Sequence, residues 1–242
     1  MGYIKNIPLN SLKLLLFILL LFFIYSCGSD CCTGSSPGPG PTPNKVGRIV
    51  ASNDDWIFSD VGFTPPNDPG IFALNIASWF TGGRTGKFLV YSTHIYLTGS
   101  QLANTMISAG HTWTVNTSVT FDLATLTQYD GVFLGFTPVD NNILIDYVNA
   151  GGNVYVFSGA GSEAGKWNTF LQHFGLQFEA VNNNISGNIP VSSTHPLFAG
   201  VDYLYMNIGA SVIDLDPTDP RNEIIAVYQG QGLFGVYDPS KK

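Results

Sequence analysis

Three groups of residues have side chains and spacings that could do chemistry. Ser158 precedes Gly159-Ala160-Gly161, and His195 and His94 are the imidazoles that could serve it. A serine lifted into a cleft by a strand-to-helix turn becomes a nucleophile only when a base within hydrogen-bond reach takes its proton. The surrounding sequence is not Gly-x-Ser-x-Gly, so the competing role is a turn that caps the next helix. Gly159 and Gly161 could also offer backbone N–H groups to an anion at that helix start.

The second group mixes aromatic faces with amides and carboxylates: Asn53, Asp54, Asp55, Trp56, Asn75 and Trp79. Rings stack on sugar faces while Asn and Asp bond the hydroxyls, so this mixture predicts saccharide recognition. Ordinary packing is the competing role, and the commoner one for Trp. The third group is the loop from Asp214 to Pro220, with carboxylates at Asp214, Asp216 and Asp219. It has oxygen ligands for calcium but neither the glycine nor the terminal Glu of an EF-hand loop, so a solvated turn is expected. His94 and His111 flank one helix without the convergent spacing of metal ligands and read as structural. No metal or cofactor is expected.

These residues must be positioned by regular elements. Lys87 to Ser92, His111 to Val115, Gly131 to Gly135 and Asn153 to Phe157 read as strands. Gly99 to Ala109, Asn141 to Ala150 and Lys166 to Phe174 read as helices between and after them, with Gly110, Gly151 and Gly175 as stops, and Leu123 to Gln128 as a short helix or turn. Strands apolar on both faces, alternating with helices of this length, predict right-handed crossovers and a parallel sheet covered on both sides. Beyond about residue 180 the segments shorten and fill with Asn, Gly, Pro and Asp, which predicts strands and turns added to one side of the sheet. Ligands of such a sheet bind beyond the carboxyl ends of its strands. That rule points to Ser92-Thr93-His94, Gly135-Phe136-Thr137 and the segment from Ser158 to Glu163.

The amino-terminal segment carries an address. Lys5 and Lys13 precede an apolar run from Leu14 to Tyr25, too short for the ~20 residues of a spanning helix. It fits the apolar region of a secretory signal over residues 1–26. Ile24-Tyr25-Ser26-Cys27 resembles a bacterial lipobox, which implies acylation of the Cys27 thiol and cleavage before it. Residues 27–45 then form a Pro/Gly/Ser tether, and one domain follows from Val46 to Lys242. Loss of Lys5 and Lys13 leaves 8 basic against 17 acidic residues, a net charge of −9. Such a surface does not hold anionic lipid by charge, so the acyl chains must anchor the protein to the membrane. It also has no basic stripe, which excludes nucleic acid as a partner. Gly28 after Cys27 is not an Asp-type retention signal, so the outer membrane of a bacterial envelope is the expected location. All three cysteines, Cys27, Cys31 and Cys32, precede residue 33, so the domain has no disulfide and no thiol nucleophile.

Three stretches carry a wider resemblance. They are Tyr129 to Leu134, the run from Leu144 through Gly151-Gly152 to Val156, and His195-Pro196-Leu197-Phe198-Ala199-Gly200-Val201. Together they resemble the class I glutamine amidotransferase-like superfamily, including ThuA-like and DJ-1-like domains, over residues 87–206. The resemblance implies a flavodoxin-like, doubly wound, mostly parallel α/β sheet, here with additional C-terminal β-strands. It also implies a cysteine in the turn after Phe157. This chain has Ser158 there, and Leu197 stands where the class places an acid after His-Pro. Glutamine hydrolysis by a thiolate is thereby excluded. The expectation is a lipid-anchored envelope protein whose domain binds a glycan or other small molecule without processing it. The expected ligand-binding residues are Asn53, Asp55, Trp56, Asn75, Trp79, Ser92, His94, Ser158, Gly159 and Gly161. Its rivals are a hydrolase using Ser158 with His195, and a scaffold in an envelope complex.

Overall fold

The structure, a computed structural model, describes residues 45–159 and 163–242. The expected signal, Cys27, the tether up to residue 44 and Gly161 lie outside these residues. Within them, seven strands form one sheet: β1 (Ile49–Ser52), β2 (Lys87–Tyr91), β3 (Thr112–Val115), β4 (Gly131–Leu134), β5 (Asn153–Phe157), β10 (Asn222–Tyr228) and β11 (Gln231–Tyr237). Their order across the sheet is β3-β2-β4-β5-β1-β11-β10. The five strands from β3 to β1 run parallel, and β11 pairs antiparallel with both β1 and β10.

The connecting helices are α1 (Pro69–Thr81), α2 (Ile95–Thr98), α3 (Ser100–Ser108), α4 (Leu123–Leu126), α5 (Asn141–Asn149) and α6 (Glu163–His173). The period-2 alternation of each strand decides which helices it meets. Val50, Phe88, Val90, Phe133, Tyr155 and Phe157 share a buried cluster with α1, α2 and α3. Ile49, Ala51, Leu89, Val132, Leu134, Val154 and Val156 share another with α4, α5 and α6. Each such side chain, wholly removed from water, stabilises by ~1.5–3 kcal/mol before entropy is subtracted. The doubly wound α/β architecture expected from the alternation is therefore present, with the flavodoxin-like order in which β2 and β4 lie side by side. The crossovers leave β2 and β4 in opposite directions, which makes the crevice between them the topological switch point.

Two features depart from the sequence reading. No strand is read there before Lys87, yet β1 fills the place beside β5, in register from Ile49↔Val154 to Ser52↔Phe157. The added strands also do not lie on one side. β10 and β11 extend the edge, the pair β6 (Leu176–Asn182) and β9 (Ala210–Asp214) packs on the α5–α6 face, and the pair β7 (Ser186–Pro190) and β8 (Tyr203–Asn207) packs on the α1 face.

Helix stops follow local chemistry. α1 begins with Pro69 at its first position and ends at Gly82, whose φ of 67° is left-handed. The Asp140 side chain accepts from Asn142 N–H at 2.9 Å and caps α5.

Candidate site at the carboxyl edge of the sheet

Because β1 lies beside β5, its last residues join the site. Ser158 N–H donates to the Ser52 carbonyl at 2.9 Å, which brings the turn after β5 against the turn after β1. Asn53 is fully buried; its N–H donates to the Leu233 carbonyl at 2.8 Å and its carbonyl accepts from Ala210 N–H at 3.0 Å. Its side-chain Oδ1 and Nδ2 have no hydrogen-bond partner. Gly209 allows this closure: a Cβ there would stand 1.7 Å from the Asn53 carbonyl oxygen.

Asp54 is also fully buried. Its Oδ1 accepts from Trp56 N–H at 2.8 Å and its Oδ2 from Asn207 N–H at 2.9 Å. Burial pushes its carboxyl up to about 6, against the hydrogen bonds from the backbone of Trp56, Asn207 and Gly209. Asp55, 6% exposed, lies against Gly159: a Cβ on that glycine would be 3.4 Å from Asp55 Oδ1 and 3.0 Å from the Phe136 ring.

An aromatic group stands beside these carboxylates. Trp56 packs on Tyr96 with ring centroids 4.8 Å apart and on Tyr205 at 6.1 Å. All three rings are half-buried. Burial and the carboxylates of Asp55 and Asp54 hold the Tyr96 phenol above its ordinary range. At the switch point, the His94 ring stacks on Phe136 at 4.0 Å and meets Tyr96 edge-on at 4.4 Å. Ser92 sets this loop: its Oγ donates to the Gly135 carbonyl at 2.7 Å and accepts from His94 N–H at 3.0 Å. Phe136 has a left-handed φ of 57°, and Lys166 Nζ donates to its carbonyl at 3.3 Å.

The expected site residues therefore divide. Asn53, Asp55, Trp56, Ser92, His94, Ser158 and Gly159 do meet at the carboxyl edge. Asn75 and Trp79 do not, because α1 carries them to the other end of the sheet. Asn75 Nδ2 donates to the carbonyls of Leu197 and Ala199, at 3.1 and 2.9 Å, and so ties α1 to the 3-10 turn Pro196–Phe198. Trp79 lies under the Arg48 guanidinium, 4.8 Å from its ring centroid, and meets His195 edge-on at 5.7 Å. Trp79, His195, Glu223, Asp238 and Lys241 line a cavity of about 600 Å³ there.

The pairing of Ser158 with His195 is corrected by the same geometry. Ser158 is bonded to Ser52 at one end of β1, whereas His195 packs on Trp79, whose carbonyl accepts from Arg48 at the other end. Four residue steps of strand separate Arg48 from Ser52, ~13 Å of backbone, far beyond the ~3 Å of proton transfer. Ser158 is fully buried and its Oγ donates to the carbonyl of Gly159 at 3.2 Å. His195 Nδ1 accepts from Leu197 N–H at 3.3 Å, which leaves the proton of the neutral ring on Nε2. Burial and Lys241 hold its pKa below 6.5.

The remaining candidates serve the fold. His111 Nδ1 accepts from Gly86 N–H at 3.1 Å. In the Asp214–Pro220 loop, Asp214 accepts from Asp216 N–H at 2.9 Å, Asp216 accepts from Thr218 N–H at 3.1 Å, and Asp219 pairs with Arg221 at 2.6 Å. No group of three His, Cys, Asp or Glu among the described residues could hold a metal ion.

Tyr96 and Tyr205 are the site residues that sequence reasoning missed. Tyr96 had a signal, since it falls two residues beyond His94 at the end of β2. Tyr205 had none, because it arrives on β8 through tertiary packing. No helix among the described residues is long and apolar enough to cross a membrane. Comparison with protein-family models, curated proteins and solved structures finds no match.

Proposed function

We propose that this chain is a lipid-anchored protein of a bacterial envelope whose α/β domain binds a saccharide at the carboxyl edge of its sheet. The observation that carries the reading is the grouping of three half-buried rings, Trp56, Tyr96 and Tyr205, at the strand end that also carries Asn53, Asp54 and Asp55. Rings of this kind cover the apolar faces of a pyranose, and amide and carboxylate groups bond its hydroxyls. The domain is read as amidotransferase-like in architecture, with Ser158 in the nucleophile's place, so binding rather than glutamine hydrolysis is proposed. The exposed apolar side chains, among them Ile95, Ile107, Val115, Val181 and Val227, are spread over several elements.

Calorimetry and tryptophan fluorescence with β-1,4-linked tetrasaccharides test the binding. Saturable heat and quenching are expected, weakened about tenfold in Trp56→Ala and kept in Trp79→Ala. Absence of binding across glucose, N-acetylglucosamine and glucosamine tetramers refutes it. The anchor is tested separately, by incorporation of labelled palmitate and its loss in Cys27→Ala.

A further inference from the structure

We propose that a second site, separate from the carboxyl edge, takes a small zwitterion of the amino-acid or dipeptide class in the cavity beside Trp79 and His195. The inference does not depend on the saccharide reading. The cavity holds about 600 Å³, and Trp79 and Pro196 also line an adjoining one of about 350 Å³. Sheet register builds its floor. Val236 packs toward α1, Glu223 stands opposite it on β10, and Asp238 follows two residues later, so alternation turns all three to the α1 face. Trp79 comes from the last turn of α1, and His195 immediately precedes the 3-10 turn Pro196–Phe198.

The carboxylates and the imidazole on these walls are used only in part. Asp238 is 6% exposed. Its Oδ1 accepts from Arg48 Nε at 3.2 Å, from Ser240 N–H at 3.1 Å and from Ser240 Oγ at 2.7 Å, while its Oδ2 accepts from no described residue. Glu223 Oε2 accepts from Lys241 Nζ, and its Oε1 accepts from no described residue. The His195 ring accepts through Nδ1, so its Nε2–H is a donor that no described residue takes up. Open acceptors and an open donor therefore share one cavity. Arg48 and Lys241 balance Asp238 and Glu223, so the walls carry both signs and no net charge. A lone cation or anion gains little from such walls, whereas a ligand carrying both charges gains at each end. An ammonium group would donate to Asp238 Oδ2 and Glu223 Oε1, and a carboxylate would accept from His195 Nε2–H and Lys241 Nζ. Trp79, Pro196 and Ile225 leave apolar wall for the ligand's side chain.

Calorimetry on the full chain tests this with L-leucine, with L-leucyl-L-leucine, and with two leucine analogues that each lack one charge, 4-methylpentanoate and 3-methylbutylamine. Saturable binding of leucine or the dipeptide is expected, with both analogues weaker by about tenfold or more. Tighter binding of leucine assigns the free amino acid, and tighter binding of the dipeptide assigns a peptide. Glu223→Gln, at a half-exposed position, should weaken the zwitterion about tenfold without weakening 4-methylpentanoate. Lys241→Met should also weaken the zwitterion while sparing 3-methylbutylamine. An analogue that binds as tightly as the zwitterions overturns the proposal, as does the absence of heat from both leucine and the dipeptide. Bound tetrasaccharide should leave leucine affinity unchanged, so this site and the saccharide reading fail separately; competition between the two overturns the assignment of a second site.

Discussion

The two ends of one sheet handle charge in opposite ways. At the amino end, opposite charges are paired: Arg48 with Asp238 at 3.2 Å, Arg84 with Asp130 at 2.5 Å, Arg221 with Asp219 at 2.6 Å, and Lys241 with Glu223. At the carboxyl end, Asp54 is buried against backbone amides and stands next to aromatic rings. The same residue types thus serve stability in one place and a field in the other. Paired charges cancel beyond a few ångströms, while a carboxylate solvated by dipoles keeps its potential. The difference shows in proton affinity. At Asp238, burial is outweighed by hydrogen bonds from Ser240 and by Arg48, so its carboxyl lies below the ordinary range, whereas burial at Asp54 prevails.

The strongest disturbance of the comparison is steric. Gly209→Ala places a methyl group 1.7 Å from the Asn53 carbonyl oxygen and forces the β8–β9 turn off β1. A loss of about 3 kcal/mol or more is expected in chemical denaturation. The carboxyl end should come apart first, read as faster amide exchange at Asn53 and Ala210 than at Arg48 and Val154.

Next in size is the response to pH. Deprotonating Asp54 in the folded state, at about 6 rather than 3.8, costs about 3 kcal/mol above pH 6, a cost that disappears as pH falls toward 4. Relative to wild type, Asp54→Ser should therefore be more favourable at pH 7 than at pH 4, by about that amount. Asp238 has the opposite sign. Its lowered pKa contributes stability present above the ordinary carboxylate value and lost as pH falls through the lowered one. The destabilisation by Asp238→Asn should then shrink in acid. Urea titrations of both variants from pH 3 to about 8 decide whether the slopes oppose; parallel slopes would break the comparison.

A smaller effect separates the two tryptophans. Trp56→Ala should weaken tetrasaccharide binding about tenfold, or ~1.4 kcal/mol. Trp79→Ala should leave affinity unchanged while lowering the melting temperature, since Arg48 loses its ring. The smallest effect belongs to Ser158→Ala, expected within about 0.5 kcal/mol in stability and without effect on affinity. A large loss of affinity there would restore a chemical role to its hydroxyl.

Much of the sheet was legible because it is covered on both faces. Runs such as Phe88-Leu89-Val90 and Val154-Tyr155-Val156-Phe157 are apolar without interruption, and glycine stops such as Gly110, Gly151 and Gly175 have the left-handed φ expected of them. β1 was not legible, for its four residues Ile-Val-Ala-Ser run straight into Asn-Asp-Asp and carry too little periodicity. Half the site followed from the rule that ligands lie beyond strand ends. The grouping of Asn75 and Trp79 with Asn53 and Trp56 failed, because closeness in sequence says nothing about the length of α1, which carries them to the far end.

By itself the sequence determined the alternation of strands and helices, the absence of any thiol after Cys32, and the residue types available for binding. These are local or compositional, set by periodicity, turn chemistry and counting. Only the tertiary structure decided which strand lies beside β5, that Ser158 and His195 stand at opposite ends of β1, and that Tyr205 joins Trp56. Those facts depend on contacts between residues far apart in the chain, and such contacts are chosen by how whole layers pack rather than by any local pattern.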